Sequence, residues 1–434
     1  MTAAAPFFPK PTELSLQHVL VPRQSAPLWE QAIVSLWLLV TFIPFPNDEL
    51  ILYPLVALFV VGAALRYDQI VPVALRVWPI LLVPALATFS MLWAPIRPQA
   101  LRFGIMMFLT ALIAIYIASR MTPREIVRAA FFACAVSAIV AFLQLDKVGQ
   151  VDGIYPQKNI FSLRMQLIMV VCICVALDRD QHLILRLIAI PFVPLVAALV
   201  LGAGSATGLL LAGGSIIFMT AVWLVWTNAV KVRHFRLLTL LVSIAVTVSG
   251  VLVFLNLPNN TVINDGLFAL GKDTTLTNRT VLWADAARIS EQQPWLGVGA
   301  TGFWTPSNGQ AESILDYSYK SPGTVFSFHS VYYEVLVHLG YVGLVLMIFQ
   351  IFWIVQMAFR HWLRVSGMSQ ALLLLLTLIA FVISFTESTL FSVIEISIVL
   401  FLIAGVSPVA ERIKFTKVLA PPPPPMPDFV PIRP

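Results

Sequence analysis

The chain has 434 residues, of which 59% are hydrophobic and only 11% charged, and its formal net charge is +6. Its mean hydropathy of +0.89 is far above that of an ordinary soluble domain, which excludes a soluble globular protein and predicts a polytopic membrane protein. The basic residues are concentrated in the connections between apolar segments, so membrane topology explains the positive charge and no nucleic-acid partner is expected.

Apolar segments of membrane-spanning length recur along the chain. A helix needs roughly twenty residues to cross about 30 Å of hydrocarbon, and about twelve segments come close to that length. Their expected limits are 31–46, 50–65, 77–94, 101–119, 127–144, 159–177, 186–204, 205–227, 237–256, 330–358, 371–386 and 389–406. The expected fold is therefore an all-α, multi-pass bundle of about twelve transmembrane helices, with a large polar loop between the ninth and the tenth.

The charge of the connections predicts the orientation of this bundle. Every second connection is basic, and the positive-inside rule puts such connections in the cytoplasm. Their basic residues are Arg66, Arg76, Arg120, Arg124, Arg128, Arg179, Lys231, Arg233, Arg236, Arg360 and Arg364. The N-terminal tail, residues 1–30, and the Pro-rich tail, residues 407–434, also carry basic residues, so both termini are expected in the cytoplasm. The loop at 257–329 then lies outside, between membrane regions 31–256 and 330–406.

The polar loop holds the candidate chemistry, because a long irregular polar segment has to sit in water. Thr277 to Thr280 precede a half-apolar stretch and predict an N-capped surface helix of about four turns. Trp295 to Gly302 form a Gly-rich segment whose backbone amides could approach a ligand closely, which alone is a weak indication of a phosphate site. His329 follows at the outer mouth of the tenth span.

Four sequence elements in and after this loop resemble motifs of the O-antigen ligase and Wzy polymerase superfamily. They are Arg279 with Trp283 four residues later, the segment Pro294 to Gly299, the pair His329-Ser330, and the stretch from Glu334 to Gly343. Two further tripeptides resemble the ExoQ-like exopolysaccharide polymerases of that superfamily, namely Gln157-Lys158-Asn159 and Thr386-Glu387-Ser388. The resemblance covers the topology of nearly the whole chain, and its sharpest motifs lie between Arg279 and Gly343.

The resemblance implies a glycosyltransferase that needs neither a metal nor a cofactor and works at the periplasmic face of a bacterial inner membrane. The implied donor is an undecaprenyl-diphosphate-linked oligosaccharide, and the implied acceptor is a hydroxyl of another glycan. Membrane lipid, a flippase and a chain-length regulator are the other expected partners. The spacing of histidines, cysteines and carboxylates gives no independent reason to expect a metal site.

Arg279 and His329 are the expected catalytic residues on this resemblance. A guanidinium binds two phosphate oxygens through parallel charge-assisted hydrogen bonds and stays charged at any working pH, which suits Arg279 to the donor diphosphate. A neutral imidazole with a pKa near 6.5 can take the proton from an attacking sugar hydroxyl, which suits His329 to general-base catalysis.

The sequence departs from the ligase pattern where ligases of this superfamily carry a Ser-Arg-Gly element with a second diphosphate-binding cation. The corresponding stretch, Gly204 to Gly208, has no cation. The second substrate-binding cation is therefore expected to be Lys158, Arg164 or Arg102, with Lys158 preferred because it opens a span on the outer side.

Glu334 is a further candidate substrate-binding residue. Its spacing of four residues from His338 nevertheless favours a simple pair on one helical face. The same helical geometry puts His338 about half a turn away from His329, so the two histidines are not expected to converge.

The leading hypothesis is a polysaccharide polymerase of exopolysaccharide or O-antigen biosynthesis that joins lipid-linked repeat units. An O-antigen ligase that transfers glycan to lipid A-core or protein is the alternative, since it would use the same donor chemistry. The Gln157-Lys158-Asn159 element and the missing Ser-Arg-Gly favour the polymerase. A membrane transporter is a remoter alternative, because transporters often show repeated halves and midplane ionisable sites, whereas here the polar residues are concentrated in one loop.

Overall fold

The computed structural model describes residues 25–43, 47–147, 155, 158–226, 279–324 and 326–419. Within these ranges every regular element is a helix and no strand occurs, which confirms the all-α class for the described part of the chain. The expected ninth span at 237–256, the loop up to residue 278 and the ends of both tails lie outside the described residues.

The helices fall on either side of the gap at 227–278. Before it lie α1 (Leu28–Phe42), α2 (Glu49–Leu65), α3 (Tyr67–Arg76), α4 (Leu82–Phe89), α5 (Arg97–Arg120), α6 (Pro123–Leu143), α7 (Lys158–Leu177), α8 (Leu183–Gly202) and α9 (Ala206–Ala221). After it lie α10 (Arg279–Ser290), α11 (Gly309–Tyr317), α12 (Val331–Val365), α13 (Met368–Ile383) and α14 (Ile396–Leu419).

Helix lengths and apolar composition indicate a membrane protein. Among the described residues, six helical segments are long and apolar enough to cross a membrane, namely α5, α6, α7, α8, Thr207–Leu224 and α12. The pair α2 and α3 is a seventh if the two count as one span. Shorter apolar helices occur at α1, Trp78–Leu92, α13 and Ile396–Glu411. The expected number of about twelve spans is therefore not confirmed, because these shorter helices fall below the roughly twenty residues that a perpendicular crossing requires.

The connection expected at residues 66–76 is a helix. Tyr67–Arg76 forms α3, which is bent by 96° from α2. The ends of these helices are tied to α1 and α5 by Glu30, whose buried carboxylate contacts Arg66 and Arg120 at 3.1 Å each. Two of the basic residues that predict the topology are thus also neutralised by a carboxylate inside the fold.

Two cavities with different lining residues lie at opposite ends of the bundle. Helices α5, α7 and α12 all begin beside one large cavity, which Gln99, Ile160 and Glu334 line. The stretch from Ile160 to Asp178 is about 27 Å long as a helix, and Asp178 lines a second cavity of about 230 Å³. Arg124 lines that second cavity as well. The basic connections that hold Arg124 and Arg179 therefore lie at the end of the bundle that is remote from the large cavity.

The Gly-rich segment packs its backbone against a break in α12. Gly340 interrupts the helix with φ of 66° and ψ of −166°. A Cβ on Gly340 would lie 2.3 Å from the backbone of Trp295, and one on Gly297 would lie 2.5 Å from the backbone of His338. The Gly299 amide donates to the His338 carbonyl at 2.9 Å, and the Tyr341 amide donates to the Pro294 carbonyl at 2.8 Å. The amide of Gly299 is thus committed to α12, contrary to the expectation that this segment offers its amides to a ligand.

Residues 279–330 pack a small hydrophobic core of their own against the first turns of α12. Its buried members are Leu282, Ala286, Ile289, Phe303, Ala311, Ile314, Phe328 and Val337. The expected surface helix is present as α10, although it spans 12 residues, and Thr277 and Asn278 of the expected cap are outside the described ranges. This core fixes the start of α10 and the turn before α12 relative to each other.

Candidate functional site

A cavity of about 680 Å³ lies at the end of the bundle where α5, α7 and α12 begin. Its ionisable lining residues are Arg164, His329, Glu334, His338, Glu387 and Glu395, and its aromatic ones are Phe103, Trp304, Phe326 and Phe391. Carboxylates accept hydrogen bonds from hydroxyl groups, amides both donate and accept them, and aromatic faces pack against apolar surface. The lining therefore suits a molecule that is rich in hydroxyls, such as a glycan.

Glu387 joins Arg279 to His329 at the rim of this cavity. Its Oε1 atom accepts a hydrogen bond from Nη2 of Arg279 at 2.6 Å, and its Oε2 atom lies 3.4 Å from Nδ1 of His329. Nη1 of Arg279 also donates to the carbonyl oxygen of Thr386. The structure thereby brings together the two residues that the sequence singles out as catalytic, through a third residue to which the sequence analysis assigns no role.

The contact with Glu387 favours one tautomer of His329. A carboxylate only accepts hydrogen bonds, so the proton of a neutral His329 ring lies on Nδ1 and the lone pair lies on Nε2. Nε2 is then the atom able to accept a proton. The arrangement matches the general rule that a carboxylate beside an imidazole orients the ring and stabilises the imidazolium that forms.

Three hydrogen bonds from other parts of the chain fix the backbone on either side of His329. His329 has a φ of 49°, in the left-handed region that few non-glycine residues adopt. The amide of Phe328 donates to Oε2 of Glu334 at 2.8 Å, and the carbonyl of Phe328 accepts from Trp283 at 3.0 Å. The amide of Val331 donates to the carbonyl of Ser384 at 2.9 Å. These bonds lock the turn in which His329 sits and give Trp283 a structural reason for its position.

Glu334 and His338 form the pair that their spacing predicts. Nε2 of His338 lies 3.1 Å from Oε1 of Glu334, and its Nδ1 lies 3.2 Å from the carbonyl oxygen of Gly299. Both ring nitrogens of His338 thus face oxygen atoms that can accept a hydrogen bond. Trp304 donates to the same carboxylate at 3.0 Å. Glu334 therefore mainly holds the turn before α12 in place by accepting the hydrogen bond from the Phe328 amide, although it also lines the cavity.

The expectation that His329 and His338 do not converge is wrong, because both line the same cavity. The half-turn between His329 and His338 would apply only if both residues lay in one continuous helix. His329 precedes α12 and has a left-handed backbone conformation, so helical periodicity does not describe its direction.

Arg164 and Glu395 form a second ion pair in the cavity lining. Glu395 also accepts from the amide of Ser397 at 2.8 Å, which caps the start of α14. The guanidinium of Arg164 lies 5.3 Å from the ring centroid of Phe42, and its Nη1 atom is buried with no hydrogen-bond partner among the described residues. Arg164 therefore retains buried donor capacity beside the cavity.

The other two candidate cations lie apart from this lining. Arg102 is exposed on α5, where it donates to the hydroxyl of Tyr53 at 3.1 Å and lies 4.0 Å from Glu49. Lys158 is exposed at the first residue of α7. Among the described residues, the structure brings Arg164 to the cavity and leaves Arg102 and Lys158 outside its lining.

Two sequence elements that the resemblance singles out contact each other. The hydroxyl of Ser205 donates to the side chain of Asn159 at 3.3 Å, which joins the stretch lacking a cation to the start of α7. A Cβ on Gly208 would lie 1.8 Å from the hydroxyl of Ser162, so α9 approaches α7 closely at this glycine. The contact gives both elements a packing role close to the cavity residues Ile160 and Leu163.

Charge and burial compete in setting the protonation of Glu387. Burial by itself raises the pKa of this carboxyl, but the hydrogen bond from His329 and the charge of Arg279 outweigh it, so the pKa lies below its usual value. Glu387 is therefore a carboxylate at neutral pH. The signals in the sequence were its place in Thr386-Glu387-Ser388 and the cost of an ionisable group beside an apolar run.

Comparison with known proteins supports the resemblance. Residues 191–348, which include Arg279, His329 and Glu334, match the family model described as O-antigen ligase. The chain is also 36% identical over 81 residues to the exopolysaccharide production protein ExoQ of Rhizobium meliloti (strain 1021). That alignment covers 19% of this chain and 19% of the relative, so the chain spans about a fifth of the length of the curated relative it matches. The predicted resemblance to the O-antigen ligase superfamily and to its ExoQ-like members is confirmed over these segments.

Proposed function

We propose that this chain, whose residues 191–348 match the O-antigen ligase family, is a membrane glycosyltransferase that polymerises glycan repeat units carried on polyprenyl diphosphate. The observation that carries the proposal is the contact of one carboxylate, Glu387, with both Arg279 and His329 at the cavity rim. A leaving-group cation and a base oriented by a carboxylate are the two elements that transfer from a sugar diphosphate requires.

The reaction breaks the O–H bond of the acceptor and the C–O bond of the donor, and it forms the glycosidic bond and an N–H bond on His329. The acceptor hydroxyl gives its proton to Nε2 of His329, and its oxygen forms a glycosidic bond with the anomeric carbon of the donor. The bond between that carbon and the diphosphate oxygen breaks, and polyprenyl diphosphate leaves with the electron pair. Arg279 stabilises the charge on the leaving group through charge-assisted hydrogen bonds. The energy comes from the donor itself, so neither ATP nor a metal or cofactor is part of the proposal.

Arg164 is the second diphosphate cation in this proposal. It lines the same cavity as His329 and Glu387, and its Nη1 atom is buried without a hydrogen-bond partner among the described residues. Arg164 thus takes the place of Lys158, which was preferred because it opens a span on the outer side. Glu334 contributes by holding the turn that carries His329, with contact to the glycan as a second role.

The proposed location is the periplasmic face of a bacterial inner membrane, with both termini in the cytoplasm. Support comes from the placement of the basic connections that hold Arg124 and Arg179 at the end of the bundle remote from the large cavity, together with the positive-inside rule. Undecaprenyl-diphosphate-linked oligosaccharide is then the donor. A flippase would deliver it, and a chain-length regulator would act on the product.

A ligase that transfers the glycan to lipid A-core or protein is the second candidate. The description of the matched family, O-antigen ligase, favours it. The name of the ExoQ relative, an exopolysaccharide production protein, favours the polymerase. The missing cation between Gly204 and Gly208 favours the polymerase as well.

The experiment compares lipid-linked glycans in a strain that lacks this protein and in the same strain complemented with variants. The lacking strain is expected to accumulate single repeat units on polyprenyl diphosphate, and the wild-type chain to restore polymer. A strain that restores an intact polymer still on its lipid carrier but fails to attach it to an acceptor would favour the ligase. Normal polymer and normal lipid-linked glycans without the protein would contradict both candidates.

A further inference from the structure

Arg279 donates two hydrogen bonds to internal partners. Its Nη2 atom donates to Glu387 at 2.6 Å and its Nη1 atom donates to the carbonyl of Thr386. The side chain of Arg279 is only 16% exposed and that of Glu387 only 19%, so water screens their attraction less than it would at the surface. A diphosphate that binds through Nη1 and Nη2 together competes with these two acceptors.

The carboxylate is the acceptor that a diphosphate replaces most readily. It is a side chain, whereas the carbonyl of Thr386 belongs to a backbone held by the bond from Thr386 N to the carbonyl of Ile383 at 2.8 Å. The distance of 3.4 Å between Glu387 and Nδ1 of His329 is longer than the 2.7–3.2 Å of a good N–H to oxygen bond. A small side-chain rotation that releases Arg279 can therefore tighten the contact with His329.

We propose that Glu387 is a positioning residue that exchanges partners, shared by Arg279 and His329 in the empty site and paired with His329 alone once the donor diphosphate occupies Arg279. The proposal rests on the proposed function, because it takes a diphosphate as the ligand of Arg279. The electrostatic effect of donor binding favours the same exchange of partners. In the empty site Arg279 offsets the charge of Glu387, whereas in the loaded site the diphosphate offsets Arg279 and the carboxylate acts on His329 alone.

The consequence is a base that becomes stronger only when the donor is present. A neighbouring carboxylate favours the imidazolium, so donor binding makes proton transfer from the acceptor hydroxyl to His329 more favourable. The charged and titratable groups that face this region from the surrounding elements are Arg279, Arg164, Glu334, His338, Tyr332, Tyr333, Glu387 and Glu395. Of these, the carboxylate in contact with His329 is Glu387.

The test measures the titration of His329 without relying on turnover. Full-length protein in lipid nanodiscs is treated with diethyl pyrocarbonate between about pH 5 and 8, and acylation of His329, which occurs on the neutral ring, is quantified by peptide mass spectrometry. Farnesyl diphosphate is the probe. In the wild type it is expected to shift the midpoint of the acylation profile of His329 to higher pH. In Glu387→Gln the shift should fall to less than half of the wild-type value.

Asp285→Asn is the matched control, since Asp285 also pairs with an arginine of α10, Arg288, at 2.8 Å and lies outside the cavity lining. It should behave as the wild type. A shift in Glu387→Gln as large as in the wild type, or no shift in a wild type that binds the probe, would overturn the exchange.

Binding of the probe separates this inference from the proposed function. It is followed by thermal stabilisation, which should be lost in Arg279→Gln. A wild type that farnesyl diphosphate does not stabilise would count against the diphosphate site itself, and hence against both proposals. Binding that depends on Arg279 without any change at His329 would contradict only the exchange of partners.

Discussion

The Oε2 atom of Glu387 lies 3.4 Å from Nδ1 of His329, although 58 residues separate the two in the chain. Glu387 stands outside the segment that matches the O-antigen ligase family, whereas His329 stands inside it. The candidate site therefore combines a residue from the matched segment with one from the turn between α13 and α14. Because the same carboxylate bonds Arg279, the proposed base and the proposed leaving-group cation share one partner.

Arg279→Lys is expected to remain strongly impaired. Lysine keeps the positive charge but loses the planar fork that allows two parallel hydrogen bonds to phosphate. The loss of one bond to a charged group is worth about 1.5–3 kcal/mol, or roughly a 10- to 100-fold loss in transfer rate. The measurement is the rate of glycan transfer at equal amounts of protein in the membrane. Arg288→Lys is the control, because Arg288 is an exposed arginine on the same helix. Full activity of Arg279→Lys would mean that a diffuse charge is sufficient.

Arg164 is expected to matter more than Lys158 or Arg102. Each is replaced separately by glutamine, and the accumulation of unpolymerised lipid-linked repeat units is compared. Arg164→Gln should accumulate them to a level similar to Arg279→Gln, because Arg164 lines the cavity and the other two are exposed outside its lining. The double variant Arg164→Gln with Glu395→Gln checks that an unpaired buried Glu395 is not the cause. Wild-type behaviour of the double variant would remove Arg164 from donor binding.

Gly297→Ala and Gly340→Ala are each expected to prevent correct folding of the loop. The added methyl group would lie within 2.5 Å of backbone atoms of the facing segment, and both glycines have positive φ values. The readout is the amount of protein in the membrane and its resistance to limited proteolysis. Gly309→Ala is the matched control, because a Cβ there meets nothing within 4 Å. A stable Gly340→Ala protein with an intact loop would contradict the described pairing of backbones.

The pairing of Glu387 predicts how stability depends on pH. The pKa of Glu387 is lower in the folded protein than its usual value, so its ionised form stabilises the fold above the unfolded pKa of about 4.3. That contribution is lost as the pH falls through the lowered folded pKa. The apparent melting temperature of the wild type should therefore exceed that of Glu387→Gln at neutral pH, and the difference should shrink below about pH 4. A difference that grows on acidification would contradict the assigned direction.

Much of the candidate site could be predicted from the sequence. Arg279 and His329 stand in short motifs whose order matches a known family, and the pairing of Glu334 with His338 follows from their spacing. Contacts between distant segments could not be predicted in this way. Glu387 lies in a turn 108 residues after Arg279, and no local sequence pattern indicates that these two residues are in contact.

The sequence also did not predict how the apolar helices are rotated about their axes. Arg102 and Phe103 are neighbours on α5, yet Phe103 lines the cavity and Arg102 faces Tyr53. A helix that is hydrophobic nearly all round gives no periodic signal for the face that it turns inward. The partner of the Gly-rich segment could not be predicted either. Glycines allow the backbone to be approached closely, and the sequence pattern is the same whether a ligand or another part of the chain approaches it.

The most direct measurement of the central claim is glycan transfer by the purified protein in lipid nanodiscs. Lipid-linked repeat units extracted from a strain without the protein serve as both donor and acceptor, and chelator is present throughout. The wild type is predicted to form lipid-linked dimers and longer chains with release of one polyprenyl diphosphate per bond. His329→Gln is predicted to be slower by about 10² to 10⁴, with His182→Gln, an exposed histidine before α8, unchanged. Equal transfer by His329→Gln and the wild type would contradict the account.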